Sequence, residues 1–222
     1  MAMLTAFRVI GRALRHLNGN GYLYVWANLA FLLLSVPIIT MPAAWAGLCR
    51  LSYYAIRQPA AEWDDFVDGF KAFLKRGLLI GVFNLAFVLI NWVNLVSTRG
   101  DSLGEWALRF VWLSALIGWF FVQFYAYPLY FAMKTPSLRG AFRNAAVMIL
   151  LNPFFTLALA FALVILWSLS TILLAAWGLL TVSAMAIIAN IAVQDRLRKA
   201  GFEPPPENVT VENETIYGGD SP

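Results

Sequence analysis

Charge is what this chain has least of. Asp, Glu, Lys and Arg make up 13% of its 222 residues, about half the share usual in soluble proteins. So little charge on so apolar a body excludes a disordered chain and an ordinary soluble enzyme. There is one cysteine, Cys49, and one histidine, His16. A lone cysteine excludes an intrachain disulfide, and a buried apolar site is its expected place. A lone histidine excludes the paired-histidine zinc motif of metalloproteases. His16 falls in an amphipathic N-terminal segment, where a surface role is expected. No catalytic residue, metal ligand or cofactor is assigned. The net charge of +4 is small, and no basic stripe interleaved with aromatics marks a nucleic-acid binder.

What is present is apolar length. Hydrophobic residues make up 61% of the chain and mean hydropathy is +0.70. A spanning helix needs about 20 apolar residues. Five segments qualify, near 22–48, 77–96, 110–133, 152–169 and 175–193. The last two come from one charge-free run, 145–193, divided where Ser168, Ser170 and Thr171 could mark a turn. The pattern predicts an all-α polytopic helical membrane protein. Residues 1–20 read as an amphipathic interfacial helix, 21–200 as the transmembrane domain and 201–222 as a disordered acidic tail. The first apolar run lacks the layout of a cleaved signal, so it is expected to act as its own insertion signal. No ionisable residue sits in the middle of any span, which argues against a proton relay.

Orientation follows the Lys and Arg count. With five spans, eleven basic residues fall on one side and five on the other. The richer side is expected to be the cytoplasm of a bacterial inner membrane, with the C-terminus inside and the N-terminus outside. One pattern pulls the other way. Phe7, Ile10, Leu14 and Leu17 follow helical spacing, while Arg8, Arg12 and Arg15 form a basic stripe. Such a helix prefers an anionic surface. It would face the cytoplasm if the first apolar run were re-entrant, turning back between Pro37 and Pro42. The count would then be fourteen against two.

The five-span choice leans on a repeat. Residues 53–59, Tyr-Tyr-Ala-Ile-Arg-Gln-Pro, resemble residues 130–136, Tyr-Phe-Ala-Met-Lys-Thr-Pro. Each ends an apolar stretch, and each leads through an amphipathic segment into another span. A parallel internal repeat of the kind found in transporters would explain this. Chance similarity in a biased alphabet is the alternative.

Residues 62–76 read as an interfacial helix. Trp63, Phe66, Val67, Phe70, Phe73 and Leu74 give it an apolar face, with acids first and bases last, as the helix dipole prefers. It either lies on the membrane or docks a cytoplasmic partner in a groove, with Trp63, Phe66, Phe70 and Lys71 as candidate contacts. Its Asp64, Asp65 and Asp68 lack the alternate-residue spacing of a calcium loop. Inside the spans, Asn28, Thr40, Asn84 and Asn91 are candidate polar lining for a path beside a break at Pro37 and Pro42. Their other reading is to tie helices together. Trp92 and Trp106 suit an aromatic belt at the outer face.

The stretch Asn28-Leu-Ala-Phe-Leu-Leu-Leu-Ser-Val-Pro-Ile-Ile-Thr-Met-Pro-Ala-Ala-Trp-Ala-Gly-Leu, followed by Asp65-Phe-Val-Asp-Gly-Phe-Lys-Ala-Phe, resembles the YesL-like bacterial membrane proteins. Pro37, Thr40, Pro42 and Gly69-Phe70-Lys71 carry the resemblance, which covers about the first 95 residues. Met41 stands where that family often has glycine. That family has no assigned biochemical activity, so the resemblance carries over no site residues. It does imply an accessory role beside carbohydrate uptake systems, so the expected partners are the lipid bilayer and subunits of a carbohydrate importer. The competing expectation is a small transporter or channel acting as a homo-oligomer.

Overall fold

In a computed structural model the chain is described over residues 2–19, 21–57, 61–98, 100, 102–172 and 177–202. All regular structure among these residues is helical. The order is α1 (Ala2–Gly19), α2 (Gly21–Leu34), α3 (Met41–Ala55), α4 (Trp63–Ser97), α5 (Leu103–Ala132), α6 (Leu138–Leu151), α7 (Pro153–Ile172), a wide turn of π-helix (Trp177–Thr181) and α8 (Val182–Lys199). From residue 203 on, the expected acidic tail lies outside the described residues.

Among the described residues, four helices are long and apolar enough to cross a membrane: α4, α5, α7 and Gly178–Lys199. The chain is an all-α polytopic membrane protein, with four such spans among the described residues where the sequence suggests about five. The difference lies in residues 22–48. At about 1.5 Å per residue, the 14 residues of α2 reach only about 21 Å, short of a bilayer core of about 30 Å. The apolar run breaks at residues 35–40. Ile38 takes a positive φ of 56° there, and Pro42 enters the first turn of α3, where a missing N–H costs nothing. The Thr40 hydroxyl donates to the carbonyl of Leu34, so a carbonyl freed at the end of α2 is satisfied within the turn.

The N-terminal expectation changes with it. Lys199 Nζ lies 3.3 Å from Thr5 Oγ1, so the start of α1 and the end of α8 share one side. An N-terminus across the bilayer from the end of α8 would hold these residues about 30 Å apart. The re-entrant arrangement, with its count of fourteen basic residues against two, fits this contact. α1 packs on the body through a face other than the apolar one that the sequence marks. Ala6, Val9 and Ala13 face the body, whereas Phe7 (57% exposed) and Leu14 (49%) face out. Small residues let α1 approach α7 and α8 closely.

α4 joins two segments that the sequence divides. The amphipathic stretch and the second span form one helix of 35 residues, about 52 Å long. Asp64 and Asp65 lie in its first turn, and the Asp65 carboxylate accepts from the Glu62 N–H at 3.1 Å. α3 runs antiparallel along its first half at very short range. A Cβ on Gly69 would come within 2.9 Å of Arg50 Cβ and Gly47 Cα, one on Gly77 within 2.9 Å of Ala43, and one on Gly81 would overlap the Ile39 carbonyl.

The core centres on α8, where Val182 through Gln194 are all buried. Its apolar residues point in every direction, as expected of a helix enclosed on all sides. α3 and α5 run parallel: Trp45 stacks on Phe124, and Tyr53 lies 6.3 Å from Phe131. The two stretches proposed as a repeat therefore begin side by side.

Candidate functional site

The first half of α4 and α3 make a two-helix post. α4 exceeds a bilayer core by about 20 Å, and its charged residues all lie in its first fourteen positions. Asp64, Asp68, Lys71, Lys75 and Arg76 are exposed. Arg50 of α3 pairs with Asp68 at 3.6 Å and lies 5.5 Å from the Tyr54 ring. The four candidate docking residues part company here. Trp63 and Lys71 are exposed, Phe70 is half-buried and Phe66 is buried. Phe66 lies over Gly47 and stacks on Trp63 at 5.2 Å. The apolar face of residues 62–76 is mostly turned toward α3 and α5, with Phe73 packed against Tyr127 and Tyr130. What α4 offers outward is Trp63 among charges of both signs.

The candidate lining residues do not converge on one path. Asn28 is fully buried and caps the start of α8. Its Oδ1 accepts from the N–H groups of Val182 and Ser183 at 2.9 and 3.1 Å, and its Nδ2 donates to the Gly178 carbonyl at 2.6 Å. Thr40 closes the α2–α3 break. Pro37 is exposed in that turn and Pro42 is buried. Asn84 binds two groups of α5, donating to Gln123 Oε1 at 2.8 Å and accepting from Trp119 Nε1 at 2.9 Å. Asn91 is buried and donates to its own helix at the Phe87 carbonyl, leaving its Oδ1 without a donor. Sequence reasoning set Asn28 beside Asn84. Nothing in the spacing could have shown that Asn28 serves backbone more than 150 residues away.

Other polar ties follow the same logic. Asn190 of α8 donates to the Cys49 carbonyl and to Ser52 Oγ on α3, at 3.1 and 2.7 Å. Cys49 is free and buried, as its type suggests. Arg196, near the end of α8, donates to Asn152 at 3.1 Å and sits 4.0 Å over the Phe155 ring. This fixes the α6–α7 junction. His16 meets Tyr24 at 2.9 Å, and burial draws its pKa below the usual imidazole value. Among the described residues, no three His, Cys, Asp or Glu gather as a metal site.

The end of the α4–α5 hairpin holds a cavity of about 340 Å³, lined by Leu95, Trp106, Arg109, Phe110 and Leu113. The sequence reading used Trp106 only as a belt residue and missed the cavity. The available signal was Arg109, a lone cation inside the apolar start of α5. No family model, no curated protein and no solved structure matches this chain.

Proposed function

We propose that the protein is a non-enzymatic accessory subunit of a membrane transport complex, with a carbohydrate importer as the partner class. The observation that carries this reading is the α3/α4 post. A helix about 20 Å longer than its bilayer needs, braced along that excess by a second helix, suits holding a neighbouring protein. The resemblance to YesL-like proteins supports the carbohydrate association. The Lys and Arg distribution supports a cytoplasmic C-terminus, and the resemblance supports a bacterial inner membrane. The bonding of Asn28, Thr40 and Asn84 within the fold favours a tying role over a substrate path.

The test is gentle-detergent purification of the tagged protein from its host, with mass spectrometry of co-purifying chains. Stoichiometric importer subunits are expected. Trp63→Ser with Lys71→Glu should remove them without unfolding the protein, since both side chains are exposed. Retention of the same subunits by that variant would reject the post as the docking element. The second reading, a homo-oligomeric transporter or channel, draws on Asn91, whose buried Oδ1 lacks a donor. A clean homo-oligomer without partners would favour it.

A further inference from the structure

We infer that the cavity at the α4–α5 tip seats one phospholipid, its phosphate on Arg109 and part of an acyl chain against Leu95, Phe110 and Leu113. The inference rests on the membrane-spanning nature of α4 and α5, not on the docking proposal. The tip is built to hold Arg109 in place. Ser102 caps α5 by accepting from the Glu105 N–H at 3.3 Å. The Glu105 carboxylate accepts from the Gly100 N–H at 2.7 Å, with Gly100 at a φ of 84°. Arg109 Nε donates to the Thr98 carbonyl at 2.7 Å. A guanidinium has five N–H donors. This one is anchored through Nε, while its terminal amino groups make no ion pair among the described residues. Trp106 lies 5.5 Å from it and is 59% exposed.

The surroundings select the ligand. α4 ends at Ser97 and α5 begins at Leu103, so the tip lies where two spans leave the hydrocarbon, at headgroup depth. An arginine there meets phosphates, which it can bind through two parallel N–H groups. The remaining walls are aliphatic and aromatic and face the acyl region. Inorganic phosphate would satisfy Arg109 but leave those walls empty. A neutral lipid would fill the walls but leave the guanidinium unpaired.

The experiment is native mass spectrometry of the full chain in mild detergent, titrated with phosphatidylglycerol, with diacylglycerol of the same chains, and with inorganic phosphate. Wild-type protein should hold one phosphatidylglycerol at least tenfold more tightly than diacylglycerol, with no measurable phosphate binding. Arg109→Gln should weaken the phospholipid by roughly 10- to 100-fold, as expected for hydrogen bonds to a charged group. Leu113→Trp should lower occupancy by filling the cavity while leaving the melting temperature unchanged, which covers the case where Arg109→Gln fails to fold. Equal binding by wild type and Arg109→Gln, equal affinity for diacylglycerol, or tight binding of free phosphate would each overturn the assignment. So would wild-type protein that takes up no lipid at this site.

Discussion

The two halves of α4 share the same kinds of apolar residue, differ in charge and do different work. In the first half, Phe66, Gly69, Phe73, Gly77 and Gly81 are buried at spacings of three and four, and three of these are glycines that admit α3. In the second half only Asn91 is buried. The most apolar 18-residue window of α4 is 11% buried, against 78% for the last span. Outside the bilayer an apolar side chain marks a protein contact. Within it, lipid and protein are equally apolar, so hydrophobicity no longer separates inside from outside. Small residues and amides then report contact instead. On this measure the body of the protein lies around α3 and α8, while the ends of α4 and α5 reach into lipid as an arm.

The sharpest way to break that comparison is a pair of glycine substitutions. Gly81→Val would press a side chain into the Ile39 carbonyl, and overpacking of this kind costs roughly 1–3 kcal/mol, occasionally more. Gly118→Ala, in the α5 part of the arm, meets nothing within 4 Å and should stabilise by roughly 0.5–1 kcal/mol through helix propensity. Thermal unfolding in detergent reads both, and equal effects would erase the distinction between body and arm. Next comes Asn28→Ala. It strips partners from buried backbone groups of α8 and should cost roughly 1–3 kcal/mol. Asn84→Ala in the hairpin should fall nearer the 0.6 kcal/mol average for membrane side-chain ties. The reverse order in the same assay would move the centre of the fold toward the arm. Leu89→Ala, at a side chain 54% exposed, should change stability by less than about 0.5 kcal/mol. A larger loss would mean that a second chain covers this face.

The smallest expected effect is a pH dependence at His16. Burial lowers its folded pKa below the ordinary imidazole value of about 6.5, so the unfolded chain binds the proton more readily. The stability contribution is then present above about pH 6.5 and is lost as pH falls below it. Wild type should melt at a lower temperature at pH 5 than at pH 7.5, and His16→Asn should show less of that difference. An unchanged difference in the variant would place the titration elsewhere.

Much of the fold is legible in the sequence. The long apolar runs of α4, α5 and α7 are visible in composition, and the acids at the start of α4 mark its first turn. The charge-free run 145–193 already contains α7 and the first twelve residues of α8. The break in residues 22–48 is visible too, since Pro37 and Pro42 interrupt it. Whether such a break kinks a span or ends it depends on what receives the freed carbonyls, and that is a tertiary fact. What covers the apolar face of residues 62–76 is not legible for a related reason. Periodicity finds an apolar side but not what covers it, and here α3 and α5 do. The cavity at Arg109 was hidden because its walls come from both sides of a turn and share no spacing.

Asn28 also sets a clock. The amides it serves belong to Val182 and Ser183, which a ribosome adding about 5–20 residues per second reaches roughly 8 to 30 s after Asn28. Throughout that interval the side chain that will hold the last helix is already made but has nothing to hold. Until then the Asn28 amide lacks the backbone partners it has in the folded chain. A chain stopped before residue 182 has no way to complete its core, so quality control that recognises exposed polar groups in lipid could tell a truncated product from a finished one at this single residue.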